Sequence, residues 1–440
     1  MNSSKATLKA KIVFSSVLLC TAFSLIAVLD LLPALARTDS RISHLTHSRE
    51  GRLAVFDDVW ETIYQRYYDP AFKGVDWSGR RSAFRRAAAE AKDSQQLYQV
   101  LRSMIGALND PHTRVFPPEE KSDWWHPRYI TIGLSIREIE GHPTVVRVEP
   151  KSEPARAGLK PGDQIQSIDG VSVSQLLEER LGALRANSSQ SARSRMVSSL
   201  FDGEVGTISQ VSWKGKDGKL SAAAFTHYWS QRELGFQMSR KGSYLVVEIE
   251  TFTQALAAEL VRSLRNKIRG AKGLVLDLRA NGGGDAAAMA EVAAVFLGGG
   301  IELGGFRDRV GVSFELRTHP RSIFAHIPVN AIKVPIIVLI GERTSSAAEI
   351  LASVLQSERR ARLLGSTTCG CVLAIRSRHA LPDEGVLDVS EFDYRTAKGI
   401  RLEGLGVQPE DTIAPQRQDL YAGRDRVLEQ ALELLKVQSR

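Results

Sequence analysis

Val334-Pro-Ile-Ile-Val-Leu-Ile-Gly-Glu-Arg-Thr-Ser-Ser-Ala-Ala-Glu-Ile350 decides how the chain is read. The apolar run from Val334 to Ile340 has the length and β-branched content of a strand buried on both faces. A polar turn, Gly341 to Ser346, follows, and then a predicted helix from Ala347 to Ser357. A serine at a strand-to-helix turn is held out at the sheet edge, beside the positive end of the helix. That placement suits a nucleophile. The same residues also suit a plain helix start, with Ser345 or Ser346 as cap and Glu349 completing a capping box.

The pattern extends upstream. Tyr244 to Ile249 and Gly273 to Leu278 read as buried strands, and Ala255 to Ile268 and Ala286 to Leu297 as helices. Strand, turn and helix in repetition argue for a largely parallel or mixed sheet with covering helices. The second strand runs into Asn281-Gly282-Gly283-Gly284. Successive glycines can aim bare N–H groups at one point, as an oxyanion requires, or simply make a tight turn. The glycine spacing of a dinucleotide fingerprint is absent.

Residues 50 to 118 read as helical, with Val55, Phe56, Val59, Trp60, Ile63 and Tyr67 at helical spacing. A second run, Leu97 to Leu108, ends at Asn109-Asp110-Pro111, with His112 and Thr113 directly after. Residues 125 to 225 carry short β-like pieces at Tyr129–Ile136, Thr144–Val148, Ile208–Trp213 and Lys219–Phe225. A glycine- and proline-punctuated stretch lies among them.

The 440 residues carry a formal net charge of +8, with Lys and Arg spread along the chain. No basic strip is interleaved with aromatics, so no nucleic-acid partner is expected. Lys5, Lys9 and Lys11 precede an uncharged stretch from Ile12 to Leu29 and the Ala34-Leu35-Ala36 ending. This reads as a secretion signal, with an N-terminal membrane anchor as the alternative. Either way the chain is expected to be exported, to a periplasm, cell envelope or thylakoid lumen. The three cysteines build no disulfide framework. A bridge between Cys369 and Cys371 would close a very small ring, so these two read as buried small residues. No His, Cys, Asp or Glu cluster has metal-ligand spacing, and neither metal nor cofactor is expected. Asp277 and Arg279 read as an ion pair around the glycine loop, and Trp124, Trp125 and His126 as a domain junction.

Six stretches, in order, together resemble the tail-specific, or C-terminal processing, serine peptidase family. They are Leu108 to Thr113, the segment from Ile132 to Gly170, Asp277 to Gly284, Thr344 to Glu349, Gly365 to Gly370 and Gly404 to Pro409. The resemblance implies an α+β multidomain chain. Residues 1–36 would be the signal peptide or anchor, 50–120 a helical domain, 125–225 a PDZ-like β module, and 230–440 an α/β, ClpP/crotonase-like catalytic core with a mixed sheet. It implies Ser346 as nucleophile, with backbone N–H groups of Gly283, Gly284 and Ala347 as oxyanion donors. It implies that Ile132, Gly133, Leu134 and Ser135 receive the free C-terminus of a protein or peptide substrate, which would add as a strand.

One departure bears on mechanism. Family members that activate serine with a lysine carry it in a Thr-Phe-Gly-Lys stretch, with a glutamine four residues on. Here the stretch is Thr368-Cys369-Gly370-Cys371, and Ile375 replaces the glutamine. Cys371 stands at the lysine position. A serine without a base is a poor nucleophile. A branch resembling the tricorn core protease uses a histidine and a glutamate instead, which would make His112 the base and Glu403 its orienter. Pro111 stands where that branch has a serine. The competing readings are a peptide-binding pseudoprotease without activity, and a reactive or redox-paired Cys371.

Overall fold

The computed structural model describes residues 45–120, 128–182, 190–231 and 235–438. The expected signal segment and Trp124, Trp125 and His126 lie outside these residues.

The C-terminal half is built on a six-stranded sheet. Its order is Phe236–Lys241, Tyr244–Ile249, Gly273–Asp277, Ile336–Ile340, Arg362–Gly365 and Asp411–Thr412. The first pair is antiparallel and every later pair parallel. Strands in such a sheet are covered on both faces, so successive residues must all be apolar. Leu245 and Val247 pack into the large core beneath helices Gln254–Lys267, Ala286–Leu297 and Ala347–Ser357. Tyr244 and Val246 face the opposite layer, where Ala431 and Leu435 of the last helix, Arg426–Gln438, close the other side. The buried runs and the Ala-rich helix of the sequence reading are therefore the two faces of one layered core.

A second sheet went unread in the sequence. Ser313–Arg317, Glu302–Asp308, Ser390–Arg395 and Ala374–Ile375 form it, in that order. Its aromatic residues cluster, Phe306 against Phe314 with ring centroids 5.1 Å apart and Tyr394 at 5.3 Å.

The module that precedes both sheets in sequence is a five-strand antiparallel path, Leu134–Ile139 to His142–Val148 to Gln164–Ile168 to Ile208–Lys214 to Leu220–Thr226. The expected Tyr129–Ile136 piece is two strands, split at Ile132 and Gly133, where Gly133 takes φ 89°. A side chain at Gly133 would also collide with Ser152, 2.7 Å from the ideal Cβ position. Leu134–Ile139 is the edge strand, and Arg193 of helix Gln190–Ser198 pairs with Glu138 on it at 2.5 and 2.9 Å.

The first 75 described residues are not wholly helical. Helices Arg49–Arg66, Trp77–Glu90 and Ser94–Gly106 give way to a strand, Arg114–Phe116. It pairs antiparallel with Val386–Asp388 of the C-terminal half, Val115 opposite Leu387. Leu101, Met104, Leu381, Leu387 and Val389 share one buried cluster. His112, two residues before this strand, is thereby carried to the C-terminal half by main-chain pairing. Because Leu387 is fully buried at this seam, we expect Leu387→Ala to cost about 2–5 kcal/mol, measured by urea unfolding.

Candidate active site

The strand Ile336–Ile340 ends on a turn that puts Ser346 at φ 55° and ψ −125°. A residue with a side chain rarely holds this conformation, and its persistence marks a position fixed by its surroundings. Gly283 explains part of the fit. A Cβ there would stand 2.7 Å from Ser346 Cβ and 3.2 Å from the Ala347 nitrogen. Only glycine lets the two loops meet this closely.

The surroundings converge on Glu349. Its carboxylate is fully buried and accepts four hydrogen bonds. The donors are Ser346 N at 3.0 Å, Cys371 N at 2.9 Å, Gly370 N at 2.7 Å and Thr368 Oγ1 at 2.5 Å. Ser346 N also reaches Cys371 O at 2.9 Å. The Glu349 half of the expected capping box therefore exists, but the carboxylate also binds the Thr368–Cys371 loop to the serine turn. Burial pushes Glu349 up to about 6, although all four donors pull the other way.

The expected oxyanion donors do not behave alike. Gly283 N donates to Asn281 Oδ1 at 2.8 Å, so that amide is already spent. Gly284 N and Ala347 N donate to no acceptor among the described residues. Asp277 and Arg279 pair as read, and Arg279 also grips Asp425 through two bonds, at 2.9 and 2.6 Å.

Cys371 overturns an expectation. It is joined to Cys369 by a disulfide, with Cα atoms 5.2 Å apart. The reading from spacing overlooked Gly370, whose φ of 66° folds the chain back on itself. Cα separations near this value suit a disulfide. A side chain at Gly370 would press on Gly406 N at 3.0 Å and Leu405 N at 3.1 Å.

His112 and Glu403 enter from opposite ends of the sequence. Asp110, whose side chain is fully buried, organises the first. Its Oδ1 accepts from His112 N at 2.9 Å and its Oδ2 from Thr113 Oγ1 at 2.6 Å. Thr113 Oγ1 in turn accepts from Ser390 N at 3.1 Å. The His112 ring is mostly covered, with Nδ1 3.9 Å from Asp110 Oδ1. Glu403 Oε2 accepts from Val372 N at 2.9 Å, one residue beyond Cys371. Burial pushes Glu403 up to about 7. The Val372 amide and Lys73 oppose this, and the charges of Asp110 and Glu349 add to it. Glu403 thus feels both the His112 motif and the Ser346 turn. Asp110, read only as a helix stop, and Lys73, whose Nζ donates to Asn109 O at 3.2 Å, are the residues the sequence reading missed. At the expected carboxylate-receiving loop, Gly133 N already donates to Thr131 Oγ1 at 2.9 Å.

Comparison with known proteins bears on the fold and its domains. Residues 243–413 match the model of peptidase family S41, 48–106 the tricorn protease C1 domain and 128–193 the PDZ domain. The chain is 27% identical over 379 residues to a carboxyl-terminal-processing protease of a Picosynechococcus species, covering 83% of each chain. It is also 27% identical over 392 residues to the chloroplastic carboxyl-terminal-processing peptidase 2 of Arabidopsis thaliana, covering 84% of this chain and 71% of that one. Among solved structures, the photosystem II D1 C-terminal processing protease superposes with a TM-score of 0.52 at 24% identity, over 83% of this chain and 93% of that one.

Two outcomes follow from the carboxyl groups. Glu349→Ala strands four donors around a buried gap, and we expect a loss of about 3–5 kcal/mol in chemical denaturation. For Glu403, the folded chain holds more protons than the unfolded chain between the ordinary value of 4.5 and about 7. Stability therefore falls as pH rises through that window. Glu403→Gln should flatten the fall by about 1–2 kcal/mol in pH-dependent unfolding, leaving the smaller slope that Glu349 contributes.

Proposed function

We propose that this chain is a PDZ-containing C-terminal processing peptidase like those of family S41, and an active endopeptidase, with Ser346 attacking the peptide carbonyl. The single observation that carries this reading is the strained backbone of Ser346, pressed against Gly283 and followed by the Ala347 amide, which donates to no acceptor among the described residues. A scaffold that only bound peptides would have no need of that strain.

In this reading His112 takes the Ser346 proton and returns it to the leaving amine. Glu403, which feels the charge of Asp110, steadies the relay. The amides of Gly284 and Ala347 receive the oxyanion. Gly283 N joins them only if Asn281 Oδ1 releases it. Cys371, bonded to Cys369, takes no part as a base. The substrate C-terminus adds as a strand along Leu134–Ile139, beside helix Gln190–Ser198, with the Leu134 and Ser135 end of the loop nearest its carboxylate.

The chain is proposed to work outside the cytosol, as the basic and apolar start of the sequence suggests. The chloroplastic and cyanobacterial relatives fit such a compartment. Among the described residues no helix is long and apolar enough to cross a membrane.

The test is cleavage of an unfolded exported protein by the wild type, Ser346→Ala and His112→Ala. We expect both variants to lose at least about a thousandfold in kcat/KM. Wild type no faster than Ser346→Ala would establish the noncatalytic scaffold instead. Full activity in His112→Ala would remove the histidine from the relay.

A further inference from the structure

An open cleft of about 660 Å³ lies between the N-terminal helices and the second sheet of the catalytic half. Four arginines line it: Arg307, Arg309, Arg395 and Arg401. So do three aspartates, Asp69, Asp308 and Asp393. The charges look nearly balanced until the hydrogen bonds are assigned. Asp69 is occupied by the amides of Ala71 at 2.9 Å and Lys73 at 2.7 Å. Asp308 accepts from the amides of Val310 and Val312 and from Arg376, which is not among the cleft-lining residues. Asp393 alone serves cleft arginines, taking Arg401 Nε at 2.9 Å and Arg395 Nη2 at 3.3 Å.

The donors are far from exhausted. Each guanidinium has five N–H bonds to give. Arg401 spends one more on Tyr68 Oη at 2.9 Å, and Arg309 one on Tyr64 O at 2.6 Å. Arg307 is exposed and spends none among the described residues. The cleft thus presents a surplus of planar cationic donors after its own carboxylates are used. Such donors match a carboxylate in paired geometry.

Its position gives the surplus a use. Arg401 is two residues from Glu403, and Tyr68 adjoins the buried Tyr67. Tyr68 N is fixed by Ser390 O at 2.8 Å, on the residue whose own amide holds Thr113 beside His112. We propose that this cleft is a carboxylate-binding subsite that favours substrates bearing Asp or Glu side chains to one side of the scissile bond. The proposal rests on the peptidase reading for its consequence in turnover, but not for the binding itself.

The experiment uses full-length protein carrying Ser346→Ala and three fluorescent peptides, read by anisotropy. One peptide carries Asp and Glu residues, the second their Asn and Gln counterparts, and the third is the acidic peptide with an amidated C-terminus. The acidic peptide should bind about tenfold more tightly than its neutral counterpart at low salt. Amidation should leave that preference in place. Arg307→Glu, which breaks no side-chain hydrogen bond or ion pair among the described residues, should abolish it and favour a Lys-bearing peptide. Equal binding of the first two peptides, or an undiminished preference in Arg307→Glu, overturns the proposal. A preference lost on amidation also overturns it, because the cleft would then be reading the chain terminus. In the wild type the same preference should appear in KM rather than kcat. If the preference survives in binding but no peptide is cut, the peptidase reading fails and the subsite stands.

Discussion

One buried carboxylate holds the centre of this molecule together. Glu349 sits on the first turn of its helix and draws in the serine turn, the Thr368 hydroxyl and two consecutive amides of the cysteine loop. A buried carboxylate is costly unless its lone pairs are filled. Here they are filled by the serine turn and the cysteine loop, which Ser346 N–Cys371 O and Cys369 N–Thr344 O also join directly. Thr368 Oγ1 also accepts from Val407 N at 2.7 Å, which brings the Gly404–Pro409 motif into the same network. Three of the six sequence stretches therefore meet at one side chain.

That convergence explains what was legible in advance. The strand Tyr244–Ile249 and the helix Ala347–Ser357 have the bounds expected from periodicity, because burial on both faces leaves an uninterrupted apolar record. The second sheet left no such record. In Glu302–Asp308 and Ser390–Arg395 charged residues are interspersed with aromatic and small ones, so no strand period stands out. The seam strand Arg114–Phe116 is too short for any period to show. At the site, Ser346, Gly283 and Ala347 do come together. What spacing could not give was hydrogen-bond accounting: that Asn281 uses the Gly283 amide, or that Asp110 braces the histidine motif. The disulfide, weighed in the sequence only as a redox pair, was disfavoured for a related reason, since ring closure depends on the positive φ of the residue between the cysteines.

The departure at Cys371 is easier to weigh once the loop is seen whole. The loop is held by its backbone, through Gly370 N, Cys371 N and Cys371 O. The side chain at position 371 can therefore change without dismantling the support of the serine turn. A lysine lost there deletes a base but not the architecture. This is the condition under which a proton acceptor from elsewhere in the fold could take over.

The pairing of Arg114–Phe116 with Val386–Asp388 has a consequence for biogenesis. Its partners lie more than 250 residues apart in the sequence, and bringing such distant segments together is a late, slow event in folding. A chain still emerging from a ribosome or a translocation pore lacks the second partner. It therefore cannot seat His112 against the catalytic half. Under the proposed relay, competence would come only after Val386–Asp388, near the end of the chain, has been made.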